Sequence, residues 1–184
     1  MFIQTEHTPN PATLKFLPGC SVMERGTANF PDSSDAVRSP LATGLFGVDG
    51  IAGVFLGADF ITVTKSEDKD WEIIKPQILG AIMEHFQSGK AVIEGEAESA
   101  GSGEVEVEGG LEQKIKELID TRVRPAVAQD GGDIVFKRFE DGIVYLHMQG
   151  ACAGCPSSTA TLKNGIESML RHYIPEVTEV RAIE

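Results

Sequence analysis

The sequence predicts an α+β protein built from two small domains of the α/β-sandwich type. Short β-branched and aromatic runs alternate with longer stretches that have helical periodicity. A length of 184 residues suits one good-sized domain or two small ones. A stretch rich in Gly, Ser, Ala and Glu interrupts these patterns. We therefore predict one domain over residues 1–88, a linker over 89–108 and a second domain over 109–184.

The predicted linker stands out by its charge. Residues 89–108 hold one Lys and six Glu, a net charge of −5, whereas residues 1–88 carry −5 and residues 109–184 carry −2. Such a segment has too little apolar surface to offset the entropy lost on ordering. We expect a flexible, self-repelling connection that spans roughly 25 Å on average. The alternative is an edge strand at Val105–Val107.

The first domain is predicted to be a small α/β unit. A strand at 13–17 stops at Pro18-Gly19, and two runs at 51–56 and 60–64 suggest a hairpin. A helix follows, with Pro76 in its first turns or at a kink, and ends near Gly89. The apolar side chains of this helix recur at helical spacing and are assigned to the core: Trp71, Ile74, Ile78, Ile82 and Phe86.

The second domain is predicted in the order helix, strand, strand, helix, strand. Its first helix covers about 111–123 and is disturbed by Pro125. A tight turn at Asp130-Gly131-Gly132-Asp133 leads into the strands. Strands are expected at 134–139, 143–148 and 177–182, and the second helix at 156–172. In the second strand, Val144, Leu146 and Met148 share the inner face.

Composition excludes several classes of function. A net charge of −12 argues against nucleic acid, since phosphate binding needs a basic face. No run approaches the 18 or so apolar residues that indicate a membrane span. The N-terminal residues lack the layout of a secretory signal or transit peptide, which favours a reducing cytosol. We find no nucleophile–base set and no phosphate-binding glycine loop, so we expect no enzyme active site.

The strongest chemical signal is the pair Cys152 and Cys155 within Cys-Ala-Gly-Cys. A tetrahedral zinc or an all-cysteine iron–sulfur cluster needs four ligands of this kind. The chain has three cysteines, and the third, Cys20, lies far away in sequence. The motif therefore implies a metal centre shared between two chains, or no metal at all.

The motif lies where a strand pattern gives way to a helix beginning at Pro156. Unpaired amides and the positive end of the helix dipole are expected to favour the thiolate, which is the form that binds iron or zinc. Gly150 and Gly154 let the backbone curl around the sulfur atoms. Amides in such a loop can donate hydrogen bonds to the sulfides of a cluster.

Two other functions fit a Cys-x-x-Cys motif. A thioredoxin-like oxidoreductase also places it after a strand, but only 29 residues follow Cys155, too few for that sheet. A zinc-bridged dimer is equally compatible with the spacing. The remaining candidates have no ligand spacing, and we expect structural roles for them: Cys20, Asp130, Asp133, His7, His85, His147 and His172.

The residues also resemble a known family. The segment GGDIVFKRFEDGIVYLHMQGACAGCPSSTATLKNGIESML is similar to the C-terminal domain of NifU, found in Nfu-type iron–sulfur scaffold and carrier proteins. The segments MFIQTEHTPNPATLKFLPG and SPLATGLFGVDGIAGVFLGADFITVTK resemble the Nfu N-terminal domain. Together they cover nearly all of the chain outside the linker. Cys20 departs from the pattern and receives no family role.

The resemblance implies a specific function. It implies a [4Fe–4S] cluster held by Cys152 and Cys155 of two chains in a homodimer, received from an upstream assembly donor and passed to apo-proteins. The choice of iron–sulfur over zinc comes from this resemblance and not from the spacing. It also implies that the N-terminal domain helps to select clients. The expected location is the bacterial cytoplasm, with a processed mitochondrial form as the other option.

Overall fold

The computed structural model describes residues 1–94, 110–154 and 156–183, with only the backbone for 156–158. The chain divides into two compact units, residues 1–101 and 102–184, and each is described by itself. Within the described residues, no helix is both long and apolar enough to cross a membrane.

The first unit contains a five-stranded antiparallel sheet. The strands are β1 Gln4–His7, β2 Thr13–Leu17, β3 Ala28–Phe30, β4 Ile51–Leu56 and β5 Ile61–Lys65. They lie in the order β1-β2-β5-β4-β3, with every neighbouring pair antiparallel. The predicted strand at 13–17 and the predicted hairpin are confirmed. The short strands β1 and β3 were missed.

Two helices pack on this sheet. They are α1 Pro40–Phe46, whose first turn is capped by Ser39, and α2 Trp71–Ser88. Helix α2 runs through Pro76 and ends at Gly89, whose φ of +66° is the left-handed conformation that glycine adopts readily. The predicted apolar stripe of α2 is confirmed. Ile74, Ile78 and Ile82 are buried, and Trp71 and Phe86 pack against the same core.

The residues that follow α2 pack on the first unit. The Val92 carbonyl accepts a hydrogen bond from Ser39 Oγ at 2.6 Å, and the Glu94 N–H donates to the Arg38 carbonyl at 2.8 Å. Val92 and Ile93 contact the hydrophobic core of this unit. The remainder of the predicted linker, including Val105–Val107, lies outside the described residues, so the linker stays a prediction.

The second unit has the predicted order of elements. Its helices are α3 Leu111–Leu118, α4 Arg124–Gln129 and α5 Pro156–Tyr173, and its strands are β6 Gly132–Glu140, β7 Ile143–Gly150 and β8 Glu179–Ile183. A single π-helical segment, Ile119–Val123, joins α3 to α4. It falls just before Pro125, which has no N–H to continue the α-helical ladder. The predicted disturbance at this proline is confirmed.

The sheet of the second unit has the order β6-β7-β8. Strands β6 and β7 form an antiparallel hairpin, and β8 pairs parallel to β7 after the crossover through α5. Val144, Leu146 and Met148 point into the core as predicted, and they meet Ile166 and Leu170 of α5. Cys152, in the loop that follows β7, belongs to the same core. The prediction of an α+β fold is confirmed.

One buried ionisable group makes the stability of the first unit depend on pH. His85 on α2 is 8% exposed, and within the described residues its Nε2 has no hydrogen-bond partner. Burial lowers the pKa of His85 below its ordinary value of 6.5, and the nearby positive charge of Lys90 adds to this effect. Below pH 6.5 the unfolded chain binds a proton that the folded chain resists, so stability falls as the pH falls.

We predict that His85→Leu flattens this pH dependence. Urea unfolding at pH 7.5 and pH 5.5, followed by fluorescence of Trp71, isolates the first unit because Trp71 is the one tryptophan of the chain. The wild type should lose more stability on acidification than the variant. His7→Leu, at an exposed histidine of the same unit, should behave like the wild type. An equal loss in the wild type and His85→Leu would contradict the prediction.

Candidate functional site

Cys152 lies in a short loop between the central strand and a helix. Strand β7 ends at Gly150, and α5 begins at Pro156. Gly150 and Gly154 have φ values of +62° and +72°, which turn the chain around the cysteine. The predicted strand-to-helix position is confirmed. Cys155 lies outside the described residues, so the pairing of the two sulfur atoms stays a prediction.

Backbone hydrogen bonds organise this loop. The N–H groups of Ala151, Cys152 and Ala153 donate to the carbonyls of residues 131, 149 and 150, at 3.2, 3.3 and 3.1 Å respectively. The Thr159 hydroxyl donates to the Cys152 carbonyl at 3.4 Å. These three amides belong to the loop that we expected to donate hydrogen bonds to a cluster, and here they donate to the chain's own carbonyls.

The Cys152 side chain is buried. Only 6% of the residue is exposed, and it packs with the core of the second unit. Burial, together with the smaller effect of the negative charges of Asp130 and Asp133, raises the pKa of the Cys152 thiol to about 12. The prediction that the helix start favours the thiolate is wrong for Cys152, because desolvation of the buried sulfur raises the pKa of the thiol.

Glycine at position 132 makes room for the sulfur. The predicted turn at 130–133 is present, with Gly131 at φ +80° and Gly132 opposite Gly150 in the β6–β7 register. A Cβ on Gly132 would lie 2.5 Å from Cys152 Sγ and 2.9 Å from both Cys152 N and the Gln149 carbonyl oxygen. The Cys152 sulfur therefore lies directly against the backbone at the start of β6.

A buried ion pair flanks this contact. Asp133, which we expected only to form a turn, is 3% exposed and binds the Arg124 guanidinium through both carboxylate oxygens. The hydrogen bonds to Asp133 raise the pKa of Arg124, and the coulombic attraction adds to this. Sequence reasoning missed Arg124. The sequence shows only that Arg124 precedes Pro125, and this position does not indicate that Asp133 is its partner.

The other candidates are not brought together into a ligand set. Cys20 is a partly exposed, free thiol in a loop of the first unit, as predicted. His7 and His85 lie in the first unit, and His147 and His172 in the second. Over residues 1–94, 110–154 and 156–183, no group of three or more His, Cys, Asp and Glu side chains is arranged to hold a metal ion.

The chain matches known proteins over most of its length. Residues 3–89 match the family described as "Scaffold protein Nfu/NifU N terminal", and residues 115–181 match the "NifU-like domain". The human protein named NFU1 iron-sulfur cluster scaffold homolog, mitochondrial, is 52% identical over 100% of this chain and 72% of that protein. NifU-like protein 4, mitochondrial, of Arabidopsis thaliana is 51% identical over 98% of this chain and 65% of that protein. A solution NMR structure of a NifU-like protein from Saccharomyces cerevisiae covers 52% of this chain and 87% of its own, with 27% identity and a TM-score of 0.47.

The chain belongs to the Nfu/NifU family of scaffold proteins. Both halves match the family, and the identity to the human relative extends from end to end of the chain. The resemblance found in the sequence is thereby confirmed. The cysteine loop with Gly132 and the Arg124–Asp133 pair lie within the part that matches the NifU-like domain.

We predict that Gly132→Ala destabilises the second unit by about 1–3 kcal/mol, the usual cost of overpacking. The added methyl would meet backbone atoms that cannot move independently, and it would displace the Cys152 sulfur. Hydrogen exchange of peptides from β6 and β7 in a urea series measures this loss.

Gly165→Ala is the matched control. Gly165 is exposed on α5, and an added methyl there would meet nothing within 4 Å outside its own helix. Alanine should stabilise the helix by about 0.5–1 kcal/mol. Equal stability of the Gly132→Ala variant and the wild type would show that the sulfur does not need this close approach.

Proposed function

We propose that the chain is an iron–sulfur cluster carrier. Cys152 and Cys155 of two copies hold a [4Fe–4S] cluster between them, and the homodimer passes the cluster to apo-proteins. The observation that carries this proposal is the Cys152 loop at a strand-to-helix junction, in a chain whose relatives are named iron-sulfur cluster scaffolds. We propose no catalytic residues.

The number of ligands supports a shared cluster. A cubane cluster held by protein thiolates needs four cysteines. One chain has three cysteines, and Cys20 lies outside the NifU-like part. Two copies of the Cys152–Cys155 pair supply four equivalent ligands around a twofold axis, as expected for a symmetric dimer. Dimerisation is then driven by cluster binding.

The buried thiol also argues against a dithiol oxidoreductase. A dithiol oxidoreductase needs a thiolate at neutral pH, whereas burial raises the pKa of Cys152 to about 12. A thiol of this kind stays protonated until a metal binds, and the proton is then released to water or buffer. No observation favours zinc over iron.

The carrier role defines the partners. An upstream assembly donor supplies the cluster, apo iron–sulfur proteins receive it, and neither nucleic acid nor a membrane takes part. A reducing compartment is needed to keep Cys152 and Cys155 as thiols. The bacterial cytoplasm meets this need. The two relatives described above are named as mitochondrial, which supports a mitochondrial form as the second option.

We predict about four irons and four sulfides per two chains after anaerobic reconstitution, as a cubane cluster requires. Iron and sulfide analysis, Mössbauer spectra and sedimentation of the loaded protein measure this ratio and the dimer together. Cys152→Ala and Cys155→Ala should each abolish stable binding, since each removes two of the four ligands from the dimer.

Cys20→Ser is the control and should bind a normal cluster. A cluster on a strictly monomeric chain, without added thiol, would contradict the shared site. Stoichiometric zinc that resists replacement by iron would favour the structural dimer. Efficient reduction of insulin by the metal-free chain would favour the oxidoreductase.

We also propose that the predicted domains 1–88 and 109–184 fold and function independently of each other. The acidic linker 89–108 joins them, apart from its residues 92–94, which pack on the first unit. The cysteine loop belongs to the second unit, and Cys152 packs within the hydrophobic core of that unit. A fragment of residues 109–184 should therefore fold and assemble a cluster alone. Circular dichroism and iron analysis of the fragment test this, and an unfolded fragment under reconstitution conditions would show that the division is wrong.

A further inference from the structure

We propose that the ion pair between Arg124 and Asp133 positions Cys152 by holding closed the corner of the fold that covers its sulfur atom. This corner is residues 130–133, between the end of α4 and the start of β6. The inference rests on the proposed role of Cys152 as a cluster ligand. Arg124 acts through Asp133 and is a positioning residue.

The ion pair is a bidentate contact between a guanidinium and a carboxylate. Arg124 Nε and Nη2 donate to Asp133 Oδ1 and Oδ2, each at 2.8 Å, and Oδ1 also accepts the Ile134 N–H at 2.8 Å. Paired, charge-assisted hydrogen bonds of this kind fix orientation as well as distance. A second carboxylate, Asp120, lies 3.4 Å from Arg124 Nη1 and holds the guanidinium from the other side.

The ion pair connects the two ends of a short chain segment, residues 124–133. Arg124 is the first residue of α4 and Asp133 is the second residue of β6, so the pair joins the two elements on either side of the corner. The π-helical segment ends one residue before Arg124. Such segments interrupt the regular helix and recur at functional sites.

The corner in turn holds the cysteine loop. The Gly131 carbonyl accepts the Ala151 N–H at 3.2 Å, and Gly132 lies against the Cys152 sulfur with no space for a side chain. Asp133 is the next residue after Gly132. A displacement of Asp133 therefore moves both groups that cover the loop.

Removing one member of the pair should open this corner locally. Asp133 is 3% exposed, so the loss of Arg124 leaves an uncompensated buried charge, which is strongly unfavourable. The chain relieves this by moving Asp133 towards water, and Gly131 and Gly132 must follow. Cys152 is then uncovered. Loading and release of a cluster both need an accessible sulfur, so the pair controls how often the site is open.

The test compares opening at Cys152 with opening of the whole unit. Full-length, metal-free chains with Cys20→Ser carry Arg124→Gln, Asp133→Asn or the conservative Arg124→Lys. Labelling of Cys152 by iodoacetamide is followed by mass spectrometry that resolves the site. Exchange of the amide of Leu146, a fully buried residue on the central strand, reports opening of the whole unit in the same samples.

We expect Arg124→Gln and Asp133→Asn to speed labelling of Cys152 by about tenfold or more, the effect of losing charge-assisted hydrogen bonds. Arg124→Lys keeps the positive charge but cannot form the two parallel hydrogen bonds to the carboxylate. It should give a labelling rate between those of the wild type and Arg124→Gln. Leu146 exchange should rise by a smaller factor. The control Arg171→Gln removes an exposed pair with Glu167 on α5 and should change neither rate.

Two outcomes would overturn the inference. Unchanged labelling in all three variants would show that the pair does not cover Cys152. An equal rise in Cys152 labelling and Leu146 exchange would show that it only stabilises the unit. Since these chains are metal-free, a failure of cluster reconstitution counts against the proposed function alone.

Discussion

The close approach of the Cys152 sulfur to the backbone of Gly132 constrains the whole candidate site. It requires glycine at position 132, and a turn before β6 that the left-handed Gly131 provides. It also requires that β6 and β7 pair in register so that Gly132 faces Gly150. The hairpin, the end of α4 and the core beneath α5 together hold one thiol in an apolar environment. The acidity of that thiol follows from this packing and not from the helix end.

A buried thiol would give the proposed carrier two properties. The thiol is neutral and shielded, so it resists disulfide formation and oxidation, which both begin from an accessible thiolate. With Cys152 as the proposed ligand, the loop must expose the sulfur to receive or release a cluster, and transfer would then depend on a local opening of the chain. Local openings of this kind cost less than unfolding of the unit. We propose that the Arg124–Asp133 ion pair, next to Gly132, sets the free energy of this local opening.

Much of the fold could be predicted because its signals are local. The isoleucine stripe of α2 and the alternation along β7 reflect periodicities of 3.6 and 2. The strand β1, Gln4–His7, has no such pattern, because it is polar and exposed at the sheet edge. The position of Cys152 followed from its motif. Its burial and the Arg124–Asp133 pair did not, because both depend on which elements meet in three dimensions.

Transfer of an intact cluster tests carrier function most directly. The loaded dimer is mixed with an apo [4Fe–4S] enzyme and an iron chelator that prevents rebuilding from free iron, and enzyme activity is followed with time. Carrier function predicts activation within minutes at an undiminished rate, because client thiolates replace Cys152 and Cys155 by ligand exchange. Cys20→Ser should transfer equally well. Activation that the chelator abolishes would contradict the carrier role, because it would show that the chain only releases iron.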